Sequence, residues 1–447
     1  MSAPLLRSLA EIVGQPHCLG GADRAPYVID GRTPCGVVFP GSAEEVARAV
    51  RAAAAAGVPV VPWGGGTQVA RGAPPRDGAV VIGLRRLGRI LEHAPGDLTA
   101  TAEAGITLER LQQALGARGQ WLPLDPPAPA EATLGGVLAA NTAGPRRQGY
   151  GTARDHVIGI RVVTAAGELV RAGGKVVKNV AGYDLVKLYI GALGTLGIIV
   201  DATLKLRPRP DAEGACWALF PTLDRASRAA ATLADGELGP VALALLDSRA
   251  ADACAAHAGL PGDGAAVLVA FDGLAGAVAS EREEAARRLR AEGARTVEVL
   301  GDAGTARALA AVREARRLVT DSVAVATAGV RPADVGTYLE AADAAARTAR
   351  LAVAAVAYVG HGLVTLVLVP AGSPAPPAAA TAAVLAEWRA AARTRGGHLT
   401  VEWAPLAVRE ACPVWDPPGA DIQLMRGLKA RLDPQGVLNP GRFVGGI

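Results

Sequence analysis

The sequence predicts an α+β fold in two domains, and three observations carry that expectation. The chain has 447 residues, more than one ordinary hydrophobic core organises. From Gly36 onward, short β-rich runs alternate with Ala-rich stretches that keep helical apolar spacing. A Pro- and Gly-containing break at Pro208–Gly214 interrupts that alternation, which then starts again. The expected division is an N-terminal helical segment (1–30), a first domain (31–210), a second domain (211–402) and a C-terminal segment (403–447).

In chain order, Val37–Phe39 reads as a strand. Ser42 caps the next helix, with Glu45 placed as in a capping box, and Gly57 ends it. Val58–Val61, Ala79–Gly83 and Leu98–Glu103 read as strands. Thr107–Arg118 is a helix closed by Gly119. Ile158–Thr164 and Glu168–Arg171 form a hairpin over Ala165-Ala166-Gly167. Tyr183-Asp184 opens a helix to Ile190, and Ile198–Leu206 is a strand. In the second half, strands are expected at Cys216–Phe220, Val241–Leu246, Ala265–Phe271, Thr296–Leu300, Ser322–Thr327, Val353–Val359 and Leu363–Val369. Helices are expected at Leu223–Asp235, Val278–Glu292, Gly304–Leu318, Ala333–Arg347, Ala378–Arg395 and Asp421–Leu432. Ser373–Pro377 reads as a loop. Leu351–Ala371 has the length of a membrane span with one ionisable side chain, His361. The Gly360-His361-Gly362 turn signal at its centre makes it two buried strands instead.

Composition narrows the function classes. Half the residues are hydrophobic, a fifth are charged, and the net charge is +4, so the chain is globular. No basic run interleaves with its 6 Trp, 6 Tyr and 4 Phe, which argues against nucleic acid as a partner. Cys18, Cys35, Cys216, Cys254 and Cys412 are scattered singletons. That spacing builds neither a zinc site nor an iron–sulfur cluster, and an odd count argues for a reducing compartment. The segment Met1–Gly14 lacks the basic and apolar regions of a signal peptide.

Three constellations carry chemistry. Pro62-Trp63-Gly64-Gly65-Gly66-Thr67-Gln68 follows a strand. Its glycines let successive main-chain N–H groups approach an anion, yet it is neither a Walker A loop nor GxGxxG; read alone it is a phosphate cradle or simply a turn. Asp125-Pro126-Pro127 leads into Thr133-Leu134-Gly135-Gly136 and then Asn141-Thr142-Ala143-Gly144-Pro145-Arg146-Arg147. This small-residue surface suits a flat aromatic ligand, or is a Gly-rich helix start. The third runs from Lys175 through Lys178-Asn179, Tyr183-Asp184 and Gly191 to Gly194-Thr195-Leu196-Gly197-Ile198-Ile199, a turn feeding a core strand.

In that order these segments resemble the FAD-binding domain of the vanillyl-alcohol-oxidase (PCMH-type) flavoproteins. Within that family they are similar to the FAD-binding (E) subunit of bacterial glycolate oxidase. The likeness is densest from Leu122 to Pro208 and returns at Leu428–Arg442, where Asp433-Pro434-Gln435-Gly436-Val437-Leu438-Asn439-Pro440-Gly441-Arg442 stands. It implies a two-subdomain PCMH-type FAD domain followed by an α/β cap with an antiparallel sheet, and a C-terminal segment returning to the FAD domain. It also implies that Pro62, Gly64, Gly65, Gly66, Thr67 and Gln68 hold the pyrophosphate. Asp125, Thr133, Gly135, Gly136, Asn141 and Gly144 would lie along the ring and ribityl chain, and Gly194, Thr195, Gly197 and Ile199 on the other side. The Gly-rich loop has no His where covalent relatives carry one, so FAD is expected to be non-covalent.

Related hydroxy-acid dehydrogenases resemble one another at a two-His metal motif and a Glu-His-Gly motif. The stretch Tyr358–Thr365 here keeps only His361, so no metal is expected. Oxidising a 2-hydroxy acid such as glycolate calls for a cation at the carboxylate and a base at the hydroxyl. Arg146, Arg147, Arg154 and Lys178 are the candidate cations, although each reads more readily as a surface ion pair or phosphate counter-charge. His156 and His361 are the candidate bases. The expectation is therefore a flavin subunit of a glycolate oxidase/dehydrogenase complex. A sister catalytic flavin subunit and an iron–sulfur subunit would be its partners, in the cytoplasm, peripheral at the inner membrane face through them, with no transmembrane segment. The alternatives are a stand-alone FAD enzyme for another alcohol or hydroxy acid, and a non-catalytic scaffold.

Overall fold

The computed structural model describes residues 3–174, 183–372 and 376–447. The chain divides into two compact units, one formed by 1–143, 152–209 and 417–447, the other by 144–151 and 210–416.

The first unit contains two main sheets. In a four-stranded sheet, Gly36–Val38, Val80–Gly83 and Val60–Trp63 run parallel in that spatial order, and Cys18–Leu19 adds an antiparallel edge. Parallel strands are covered on both faces and read as unbroken apolar runs, as Val80–Gly83 does, every residue of it being buried. The crossover helix Ala43–Ala55 starts because the Ser42 hydroxyl accepts from the Glu45 N–H at 3.2 Å. The Glu45 carboxylate reaches back to the Gly41 N–H at 2.7 Å, one residue short of a capping box. The helix turns Val46, Ala49, Val50 and Ala53 inward, where they are fully buried. The second sheet is antiparallel, in the order Ile90–Ala94, Thr99–Glu103, Ile198–Lys205, Val157–Val163, Leu169–Gly173. Its last pair is the expected hairpin, closed where Gly167 takes φ 70°.

The second unit is built on one eight-stranded sheet, antiparallel throughout. Its spatial order is Thr296–Leu300, Ala212–Phe220, Ala265–Gly273, Ala242–Leu246, Leu351–Tyr358, Leu363–Pro370, Ala324–Gly329, His398–Trp403. The strands at 351–358 and 363–370 are the two halves of the membrane-length segment, and no helix among the described residues is long and apolar enough to cross a membrane. Side chains alternate between two cores. Helices Leu223–Ala234, Ala275–Ala291, Val335–Thr348 and Ala378–Thr394 cover one face, and Ser248–Ala258 with Asp302–Leu318 cover the other. The buried polar tips find partners: Trp217 Nε1 donates to Pro261 O at 2.9 Å and Trp388 Nε1 to Ala342 O at 2.9 Å.

The structure differs from the sequence expectation at several elements. The strand Ile90–Ala94, the helix Ser248–Ala258 and the strand His398–Trp403 were not expected. The helix after Tyr183-Asp184 is only Val186–Tyr189; Tyr183 is 95 % exposed, and Asp184 pairs with Lys187 at 3.2 Å. The second unit continues to Asp416 rather than stopping at 402. Val401 N donates to Val414 O at 2.9 Å and Arg389 Nε pairs with Asp416 at 2.6 Å, which holds 403–416 to it. Part of the expected loop Ser373–Pro377 lies outside the described residues.

Candidate cofactor cleft

The cleft lies within the first unit and begins where the strand Val60–Trp63 runs out into three glycines. Each glycine has a separate steric reason. A Cβ on Gly64 would overlap the Thr133 hydroxyl, one on Gly65 would overlap the Glu131 carbonyl oxygen, and Gly66 takes φ 79°. The loop therefore lies flush on residues 131–136. Thr133 holds that surface in place, capping the helix Leu134–Ala140 by accepting from Gly136 N at 3.3 Å. Gly135 presses against Ala104, whose Cβ would be 2.7 Å from an added Cβ. The turn before Ile198 docks on the same helix, with Gly191 N donating to Leu138 O at 3.0 Å and Leu193 N to Ala139 O at 2.9 Å.

Between these pieces lies a cleft. Of the sequence-predicted cofactor residues, Pro62, Gly64, Gly65, Gly66, Thr67, Gln68, Gly135, Gly136, Gly194, Gly197 and Ile199 line it. The main-chain N–H groups of Gly64, Gly65, Gly66 and Gln68 donate to no acceptor among the described residues. Main-chain donors without protein partners on a glycine cradle are what a diphosphate requires. The residues present thus fit an FAD pyrophosphate.

Other predicted residues sit behind the lining or elsewhere. Thr133 is the cap just described. Thr195 is buried, and its hydroxyl donates to Ala192 O at 2.7 Å. Asn141 ends the helix Leu134–Ala140 in the left-handed conformation, φ 48°. Asp125 is not among the lining residues, and Gly144 belongs to the second unit.

The catalytic candidates do not converge. Arg146, expected to meet a substrate carboxylate, is buried in the second unit and pairs with Glu213 at 2.9 Å and Asp272 at 3.2 Å. Tyr150 also donates to Asp272, at 2.8 Å, and burial pushes the Asp272 carboxyl above its usual range despite both partners. A guanidinium held between two protein carboxylates has its charge already compensated within the protein. His361 Nε2 lies 3.2 Å from the Arg147 carbonyl oxygen, also in the second unit. Burial pushes its pKa down, so the neutral ring donates there. Arg154 is exposed on the short helix Ala153–His156, while His156 is buried at its end; neither lines the cleft. Lys178 lies outside the described residues. Among the described residues, no three His, Cys, Asp or Glu side chains group as a metal site.

Sequence reasoning missed part of the lining. Trp63 lines the cleft, its ring edge-on to Tyr27 at 5.1 Å between centroids. Arg71 and Arg442 also line the cleft. Arg71 donates to Ala140 O at 3.0 Å, and Arg442 to the carbonyls of Val69 and Arg71. Asn439 completes it. The only signal for the last two was their place in the quoted C-terminal motif.

A parallel-strand glycine cradle beside an antiparallel sheet, with basic groups on the slot between, defines a dinucleotide-binding flavoprotein domain. Comparison with known families makes the assignment specific. The FAD binding domain family matches residues 34–173, and the family "FAD linked oxidases, C-terminal domain" matches residues 209–443, more than half the chain. The chain belongs to the FAD-linked oxidases, and FAD is its cofactor.

Among curated relatives, glycolate oxidase subunit GlcD of Bacillus subtilis is 35% identical over 238 residues, covering 53% of this chain and 51% of that one. Glycolate oxidase subunit GlcE of Escherichia coli is 46% identical over 124 residues, 28% of this chain and 35% of its own. An FAD-linked oxidoreductase of Mycobacterium tuberculosis, Rv2280, is 28% identical over 461 residues and 98% of both chains. The matches to GlcD and to two D-2-hydroxyglutarate dehydrogenases thus span about half or less of those relatives' length. The solved structure of p-cresol methylhydroxylase superposes with TM-score 0.79 at 17% identity, over 98% of this chain and 96% of that one. At that identity the likeness is one of fold.

Proposed function

We propose that the chain binds FAD non-covalently in the 60–72/131–140/193–199 cleft and serves the oxidation of a small 2-hydroxy acid of the glycolate class to the 2-oxo acid. The observation that carries the reading is the glycine cradle, where the N–H groups of Gly64, Gly65, Gly66 and Gln68 donate to no acceptor among the described residues, on a cleft that Arg71 and Arg442 also line. The glycolate oxidase and hydroxy-acid dehydrogenase relatives support the substrate class. Bound flavin supplies the two-electron acceptor for the α-hydride. The protein's part is to neutralise the diphosphate and hold the ring's surroundings rigid. Arg147, Arg154 (exposed on its helix) and Lys178 remain the cations proposed for the substrate carboxylate.

We further propose that this chain works as one flavin subunit of a complex, with a sister flavin subunit and an iron–sulfur subunit taking the electrons onward. A stand-alone enzyme is the second reading. It is favoured by the near full-length match in both directions to a single FAD-linked oxidoreductase.

An absorbance spectrum of the purified chain, taken before and after glycolate, D-lactate and dithionite, separates the readings. Flavin bands that bleach with dithionite and with neither acid support the subunit reading. Bleaching by an acid alone supports the stand-alone enzyme. A colourless protein that takes up no FAD overturns both.

A further inference from the structure

Asn439 reaches the cleft from the far end of the chain, and its side chain is held in a single orientation. Its main-chain N–H donates to Val60 O at 2.8 Å, and its side-chain Nδ2 donates to Leu193 O at 2.6 Å. The second bond fixes which way the carboxamide points, because turning it over would set two carbonyl oxygens against each other. Oδ1 therefore faces away from Leu193. It is buried and meets no donor among the described residues, on a residue only 6% exposed that lines the cleft.

The support behind it is rigid. Lys429 Nζ donates to Thr195 O at 2.7 Å, to Leu438 O at 2.9 Å and to Asp433 at 2.6 Å. Asp433 in turn accepts from Val437 N at 2.9 Å and Leu438 N at 2.8 Å. These bonds join the C-terminal segment to the Gly194 turn, and Val60 N donating to Val437 O at 2.8 Å joins it to the strand that feeds the glycine cradle. Asn439 itself takes φ 42°, a conformation asparagine tolerates better than most residues. An oriented, buried carbonyl acceptor without a protein donor is costly in a folded protein unless a ligand or an ordered water supplies one.

We propose that Asn439 is a cofactor-binding residue whose Oδ1 accepts a hydrogen bond from one N–H or O–H group of bound FAD. The inference rests on the cleft being the FAD site. The test is calorimetric titration of the flavin-free protein with FAD, FMN and ADP, for wild type and Asn439→Ala. The expected result is an FAD dissociation constant raised roughly tenfold. One fragment, the one carrying the donor, weakens by the same factor, and the other keeps its wild-type constant. An unchanged FAD constant overturns the proposal. So does equal weakening of FMN and ADP, which marks a displaced loop and not a lost contact. If Asn439→Ala does not fold, Asn439→Gly carries the measurement, since glycine suits the positive φ. Wild-type protein that binds none of the three ligands overturns the FAD reading itself, an outcome distinct from a null effect of the variant.

Discussion

Three consecutive glycines at the end of a strand weaken local structure, so each needs a compensating reason. At Gly65 the reason is a backbone atom. A methyl group there would overlap the Glu131 carbonyl oxygen, which cannot rotate away as a flexible side chain could. Gly65→Ala should therefore push the loop off residues 131–136, destabilising the chain by about 1–3 kcal/mol and weakening FAD binding at least tenfold. Gly96→Ala is the matched control, because an added Cβ at that exposed turn meets nothing within 4 Å. Thermal unfolding and quenching of flavin fluorescence check both, and equal behaviour of the two variants would refute the cradle argument. The glycine cradle was legible in sequence because its signal is local, three glycines at a strand end, although Thr133 and Glu131, which require two of them, are brought there by folding. Asn439 and Arg442 were not legible, because what makes them cleft residues are partners 246 and 371 positions away. The ion pairs of Arg146 have the same origin. A guanidinium near a Gly-rich motif looks available until Glu213 and Asp272 are brought to it by folding.

The helix Ser248–Ala258 shows how an element escapes notice. Its residues SRAADACAAHA offer alanine on every side, so the buried stripe Ala250, Ala251, Cys254, Ala255 and Ala258 has no apolar contrast with its exposed face. Strands such as Leu363–Pro370 were found because the Gly360-His361-Gly362 turn signal breaks the long apolar run and Val-rich stretches of strand length flank it. The edge strand Ile90–Ala94 was missed because its adjacent Leu91 and Glu92 are both exposed, which breaks the period-2 alternation. The missed helix has a clear start signal in Asp247, which accepts from Ala250 N at 2.8 Å. Burial pushes that carboxyl up to about 7, with the Ala250 and Ala355 amides only partly opposing it. Below about pH 4 the folded and unfolded states both carry the proton, and the group costs nothing. Between about pH 4 and 7 the unfolded chain ionises first, so stability falls as pH rises, and above 7 the full penalty remains. Asp247→Asn keeps a capping oxygen without the charge. It should stabilise the protein at pH 8 by on the order of 2–4 kcal/mol, with the gain vanishing near pH 4. Urea unfolding of both proteins at the two pH values measures this, and a gain independent of pH would rule out ionisation as its source.

At the scale of the whole chain, the first unit is assembled from three separate stretches, and its last one, 417–447, is the shortest. That stretch contributes Val437 and Leu438 to the first unit's core. It also supplies the backbone bonds from Val437 and Asn439 to Val60, the Lys429 node on the Gly194 turn, and the Arg442 bonds to Val69 and Arg71. The cradle and the turn that flank the cleft are thus each tied to the 417–447 stretch. The second unit has its own pair of cores and draws on none of these residues. A chain ending at Asp416 should therefore lose FAD retention and the cooperative unfolding of the first unit. The second unit's calorimetric transition should stay within a few degrees of its place in the intact chain, because none of its internal packing is removed. Retained FAD would mean that the strand and turn hold their geometry without the C-terminal ties. Loss of both transitions would mean that the second core does not stand on the contacts described for it.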